Sequence, residues 1–202
     1  MAAHDFRSTR NRMFRRRDGE FIEVIELQPS TAQEPDSFVF TINMGIHCDT
    51  LARFFSDVYP AVPFVVPLEV GATPEVADCH WRERLGQLLD QPEDRWWRAR
   101  LAADGEIDGG VGEAIDLLEQ RAVPLLDRLS DLDQLREAIE RGTSPALSRA
   151  ERALFASVLN TLAGDHESAA RLVRRFRDER PGDDRWQAIA DEHSRALSQW
   201  PS

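Results

Sequence analysis

The sequence predicts an α+β protein: an antiparallel sheet of four or five strands packed against helices, followed by a C-terminal α-helical hairpin or bundle. Two observations carry the prediction. Up to residue 101, apolar side chains tend to recur at every second position, the period of a half-buried strand. Beyond Gly112 they recur at every third or fourth position, the period of a helix with one buried stripe. Strands first and helices later means α+β, because an α/β protein would alternate the two. With 202 residues, 42% hydrophobic and 30% charged, the chain can bury a core of its own.

Arg12-Met13-Phe14-Arg15-Arg16 opens the sheet, and Arg17-Asp18-Gly19 supplies hairpin-turn chemistry. Glu20 to Gln28, rich in Phe, Ile and Val, is the next strand. Pro29 to Ser37 is a polar loop with two prolines. Phe38 to Ile46 alternates cleanly, with Phe38, Phe40, Ile42, Met44 and Ile46 on one face. Asp49 or Thr50 caps a short helix carrying Leu51, Phe54 and Phe55. Four prolines between Tyr59 and Pro74 forbid a central strand or a helix there. Cys79, Trp81, Glu83 and Leu85 alternate with His80, Arg82 and Arg84 as another strand, and Trp96 to Leu101 reads as one more.

Val111, Ile115, Leu118 and Ala122 make the first helical stripe, which Pro124 must break or kink. Ser130 is the expected N-cap of a helix using Leu132, Leu135 and Ile139, with Gly142 just past its end. Ser144 with Pro145 opens the next, built on Leu147, Leu154, Val158 and Leu162 and closed by Gly164. Asp165 starts a helix with Ala169, Leu172 and Phe176, ended by Pro181-Gly182. Asp183 starts the last, with Trp186, Ile189, His193 and Leu197 as its stripe. Phe40, Ile42, Met44, Leu85, Ile115 and Leu118 are expected to be buried.

Asn11-Arg12-Met13-Phe14-Arg15-Arg16-Arg17-Asp18-Gly19, then Val24-Ile25-Glu26-Leu27-Gln28, then Phe40-Thr41-Ile42-Asn43-Met44-Gly45-Ile46 form a recognisable order. With Asp94-Arg95-Trp96-Trp97 and Val123-Pro124-Leu125-Leu126, it resembles the bacterial family of domain of unknown function 4304 over roughly residues 6–142. The resemblance implies a small cytoplasmic α+β protein and brings no assigned reaction, cofactor or catalytic residues. Its members open with a helix leading into Gly-Phe before the first strand; Asp5-Phe6 stands in that place, and a shortened start is expected. Residues 1–142 are thus expected to form the α+β domain, and 143–202 a helical extension packed on it. Gly164, Ala169 and Pro181 also fall at spacings resembling the second half of a tetratricopeptide repeat. The first-helix positions do not match and no second unit follows, whereas stacks need about three, so an ordinary docked hairpin is the expectation.

No apolar run approaches the ~20 residues that span a bilayer. Arg7, Arg10 and Arg12 stand where a secretory signal needs apolar residues, so no membrane role is expected. Two cysteines, Cys48 and Cys79, cannot make a disulfide framework, which points to a reducing cytoplasm. Net charge is -11 and pI about 4.9, which disfavours nucleic acid as a partner. The charge is polarised: residues 1–17 carry six Arg against Asp5, and residues 102–142 carry eleven acids against four Arg.

The candidate sites weigh differently. His47-Cys48 and Cys79-His80 are metal-ligand types, but neighbours on a strand face opposite ways and zinc wants three or four ligands. Buried cysteines beside structural histidines are expected instead, with no metal and no other cofactor. Asp104 to Gly109 imitates a calcium loop, yet Ile115 stands where the bidentate Glu is required. Gly109, Gly110 and Gly112 lack the lysine of a phosphate cradle. The Arg7–Arg17 cluster beside Phe6 and Phe14 could track single-stranded nucleic acid, but a solvated hairpin face paired to acids explains it better. Nucleophile elbow, His-Glu-x-x-His and Walker patterns are all missing from the sequence.

Two functions remain in view. The preferred one is a non-catalytic module that binds a protein partner. The alternative is a small hydrolase or nucleic-acid-acting enzyme with its site over the sheet, with Glu23, Asn43, His80 and Arg82 as candidate catalytic residues converging on one pocket. Glu23 shares the strand face of Phe21, Ile25 and Leu27, where burial would raise its pKa; an edge-strand charge guarding against aggregation explains it equally well. For binding, the candidates are Trp96, Trp97 and Arg98. In a strand the two tryptophans point to opposite faces. Either both are buried, with segment 59–74 as the second cover, or the outward one forms a partner-contacting patch with Arg98, rimmed by the acidic region 102–119.

Overall fold

The computed structural model describes residues 1–8, 12–32, 36–58, 73–101, 107–142 and 146–200. One antiparallel sheet contains β1 (Arg7–Ser8), β2 (Met13–Asp18), β3 (Phe21–Pro29), β4 (Phe38–Cys48), β5 (Trp81–Arg84), β6 (Trp97–Leu101) and β7 (Ile107–Gly109). Strands β1 to β4 are successive neighbours. Both β5 and β6 pair with the far edge of β4, β5 along Asn43 to Ile46 and β6 along Phe38 to Phe40, and β7 extends the sheet beyond β6. The five strands β2 to β6 fall within residues 11–101 as expected; β1 and β7 add short edges. The β2–β3 ladder closes on Asp18 opposite Phe21, so the turn is Gly19-Glu20, one residue later than the sequence suggested. At Asp5 the backbone takes φ 61, the left-handed conformation a glycine adopts without strain, and Phe6 behind it is buried.

Alternation divides the sheet. Phe40, Ile42, Met44, Ile46 and Cys48 of β4, with Phe21 and Ile25 of β3, belong to the main core shared with the helices. The opposite face carries a smaller cluster of Met13, Ile22, Val24, Val76 and Cys79. Helix α1 (Asp49–Val58) follows β4 directly and buries Leu51, Phe54 and Phe55. After β7 come α2 (Val111–Leu117), a π-helical turn (Leu118–Ala122), α3 (Val123–Leu129) and α4 (Leu132–Arg141). The π turn is how the chain accommodates Pro124: Val123 N–H donates back to the Leu118 carbonyl, and the proline falls in the first turn of α3.

Phe40, Ile42, Met44, Leu85 and Leu118 are buried as expected, but Ile115 is 48% exposed. The buried stripe runs through Ala114, Leu117, Leu118 and Ala122 instead. The start of α2 lies so close to β6 that a Cβ on Gly110 would stand 2.8 Å from Trp97 Cδ1. At that approach the small Ala114, one turn on, takes the buried face and the isoleucine turns outward. Ser130 is not the cap of α4 either. Asp131 is, accepting from Gln134 N–H at 3.0 Å, because the Ser130 hydroxyl is engaged elsewhere.

Three more helices complete the described chain: α5 (Arg149–Leu162), α6 (His166–Asp178) and α7 (Asp184–Gln199). A capping box of Ser148 and Glu151 starts α5; Ser144-Pro145, expected to open it, lies outside the described residues. Asp165 and Asp183 cap α6 and α7 as the sequence predicts. Edge-to-face rings join these helices to α1, Phe55 to Phe155 at 5.3 Å and Phe54 to Trp200 at 5.0 Å. Most of the proline-rich segment and the front of the calcium-like loop also lie outside the described residues; the end of that loop is β7. No described helix is long and apolar enough to cross a membrane.

Candidate functional site

The four catalytic candidates do not converge. Glu23 sits on the helix side of β3, 1% exposed, with Ile46 beside it on β4 and Arg16 on β2. Its Oε2 accepts from Arg16 Nε at 2.7 Å and its Oε1 from Ser130 Oγ at 2.9 Å. Arg16 also reaches Asp127 and lies 4.7 Å over the Phe6 ring. Burial raises the Glu23 carboxyl above its ordinary range, against the opposing pull of Arg16 and Ser130. This is a clamp between the first hairpin and the α3–α4 corner, with no free oxygen for a substrate. Asn43 lies on the opposite face, donating to Glu26 Oε2 at 3.2 Å and Gln28 Oε1 at 2.8 Å. Arg82 holds the Ala77 carbonyl at 2.7 Å and Glu151 Oε1 at 3.1 Å, tying β5 to the start of α5.

His80 meets His47 across the end of the sheet, rings 4.9 Å apart. Its Nδ1 accepts from the Cys48 backbone N–H at 3.0 Å, and Phe155 packs edge-on at 5.1 Å. Desolvation lowers the pKa of both histidines; for His80 the neighbouring His47 and Arg82 charges add to it. Cys48 and Cys79 are free and buried. Burial pushes the Cys48 thiol up to about 12 and Cys79 further still, so neither is a thiolate nucleophile. Among the described residues no group of three or more His, Cys, Asp or Glu side chains is placed to hold a metal ion.

The two tryptophans separate. Trp97 begins β6 opposite Phe40, is 1% exposed, and donates its indole N–H to Glu113 Oε2 at 3.2 Å. Trp96 precedes the strand and is 38% exposed, so the arrangement in which both are buried does not hold. The register puts Arg98 opposite Val39, on the face away from the helices. Trp96, Arg98, Val39 and Arg95 border a shallow depression of about 390 Å³. Arg84 lies 5.8 Å over the Trp96 ring while paired to Asp94, and Arg95 is held by Glu93 and Glu113, each at 3.1 Å. Thr41 Oγ1 fixes the Arg95 carbonyl at 2.9 Å, so the backbone that presents Trp96 is anchored to β4.

Two groups escaped sequence reasoning. Ser157 Oγ and His193 Nε2 lie 2.7 Å apart between α5 and α7, both fully buried. The spacing imitates a nucleophile and its base, but Phe54 and Phe55 wall the imidazole and burial pushes its pKa down to about 3. Their positions on the buried stripes of two neighbouring helices were the only signal. Glu83 is the other: it faces the main core beside Met44, and burial pushes its carboxyl up to about 7. Among the described residues that carboxylate accepts one hydrogen bond, from Arg84 N–H at 2.9 Å.

No curated protein and no solved structure matches the chain. The family model described as Domain of unknown function (DUF4304) matches residues 4–128, from the 3₁₀ turn before β1 to the last turn of α3. That span covers more than half of the sequence and includes the whole sheet, the Glu23 clamp apart from Ser130, and both Trp96 and Trp97. The chain belongs to the DUF4304 family of domains of unknown function.

Proposed function

We propose that this is a non-catalytic protein-binding module whose contact surface is the open end of the sheet around Trp96 and Arg98. The carrying observation is the splitting of the tryptophan pair: Trp97 fills the core, while Trp96 stands 38% exposed on an anchored backbone. A large ring held this way gives contact area at small entropic cost, and Trp and Arg are the residues enriched at interface hot spots. The fit is to a protein surface that offers an apolar side chain to the ring beside the exposed Arg98. The dispersal of Glu23, Asn43, His80 and Arg82 over both faces and the sheet end supports a module without a reaction centre. A reducing cytoplasm suits its two free, buried thiols.

Affinity capture from a native lysate tests this, comparing the wild type with Trp96→Ala and Arg98→Ala. The expected result is a protein retained by the wild type and lost by both variants at unchanged melting temperature. Retention of nucleic acid in its place, or equal retention by all three chains, would overturn the reading.

A further inference from the structure

The end of α4 and the helices α5 and α6 meet around a pocket of about 150 Å³ whose rim is arginine. Arg149 and Arg152 come from one face of α5, three residues apart; Arg175 comes from α6, and Arg141 is the last residue of α4. Arg141 pairs with Glu137 one turn back. The other three have no acidic partner among the described residues. Arg152 Nη1 donates only to the Gly142 carbonyl, at 3.3 Å. One carboxylate, that of Glu140, also lines the pocket, and it accepts from Asn160.

A conformational feature accommodates this arrangement. Gly142 ends α4 at φ 68, and a Cβ there would stand 2.5 Å from Arg152 Nη1. The absent side chain therefore makes the place in which Arg152 lies half-buried. Guanidinium groups stay charged at any physiological pH. Like charges three apart on a helix repel, and gathering four around one small volume adds to the cost unless an anion is present. The molecule as a whole carries -11, so this concentration is not a general basic surface. At about 150 Å³ the pocket is large enough to admit a tetrahedral oxyanion. The planar forks of Arg match phosphate oxygens in geometry as well as charge.

We propose that this pocket binds a phosphate group, either free or as the monoester of a small molecule, with Arg149, Arg152 and Arg175 donating to its oxygens. The site lies beyond the matched family segment and shares no lining residue with the depression at Trp96.

Calorimetric titration of the full chain in chloride buffer tests it, with inorganic phosphate as one probe and phenyl phosphate as the other. At least one probe should bind saturably at one site. Tighter phenyl phosphate identifies a monoester, and tighter inorganic phosphate the free ion. Affinity should fall at least about tenfold in Arg149→Gln/Arg175→Gln, whose side chains are exposed and whose loss should leave the ligand-free melting temperature unchanged. Arg171→Gln/Arg174→Gln removes the same charge from α6 outside the pocket and should bind as the wild type does. If the double pocket variant melts lower, the two single variants carry the comparison. Absence of saturable binding by either probe, or equal affinity in the pocket and control variants, overturns the proposal.

Discussion

The two faces of the sheet use the same kinds of residue to different ends. Beneath the helices, aromatic rings are buried and polar groups close on one another at two places: Trp97 donates to Glu113, and Arg16, Glu23 and Ser130 form a clamp. On the other face a small cluster around Val24 and Cys79 covers one end, while Trp96 and Arg98 stand exposed at the other. Adjacent residues of one chain thus fall under opposite demands. A ring sealed beneath the helices contributes to stability, whereas one left partly exposed on a fixed backbone keeps its area at the surface.

Breaking that contrast should cost most at Trp97. Trp97→Ala opens a cavity beneath α2 and removes its hydrogen bond to Glu113, which keeps Arg95, so chemical denaturation should register a loss of about 4 kcal/mol, against less than about 0.5 kcal/mol for Trp96→Ala. Equal losses would erase the distinction between the faces. Next comes the clamp. Glu23→Ala should lower stability by about 2 kcal/mol, less than a buried pair usually costs because Arg16 keeps Asp127; a variant as stable as the wild type would show that the clamp does not hold the hairpin to the helices.

A smaller effect, of order 1 kcal/mol after allowance for solvent screening, should appear at Glu83. Its carboxyl is held at about 7 against an ordinary 4.5, so the folded state retains a proton that the unfolded chain releases. The associated stability is full below the unfolded value and is lost as pH rises through about 7. Glu83→Gln should therefore gain on the wild type as pH increases from about 5 to 8. His47, His80 and His193 have depressed pKa values, so their share is present above the ordinary histidine value and fades as pH falls; it is common to both proteins and cancels in the difference. A difference that stays flat would place Glu83 in a wetter setting than the core. Smallest of all is Ile115→Gln. At 48% exposure it should change stability by no more than about 0.5 kcal/mol, where the helical stripe read from the sequence would demand several times that.

Alternation made the sheet legible: Phe40, Ile42 and Met44 lie in the core because period two and burial coincide on a strand covered on one face. The helix caps Asp165 and Asp183 were readable for a similarly local reason. What periodicity could not contain was how closely one element approaches another. Gly110 against Trp97 decided that Ala114, not Ile115, faces inward. Ser130 and Asp131 are both good caps, and the choice fell on Asp131 because Ser130 serves a carboxylate 107 residues away. For the candidate site, period two showed that the tryptophans must diverge; which of them points outward depended on β6 joining the edge of β4. The arginine pocket draws on three helices, so no single stretch of sequence displays it.

The division between the faces is tested most directly by amide hydrogen exchange of the full chain, alone and with the captured partner added. The partner is expected to slow exchange in residues 95–100 and along residues 38–41 of β4, while α3 and α4 keep their rates. Protection confined to the helices, with residues 95–100 unchanged, would contradict it.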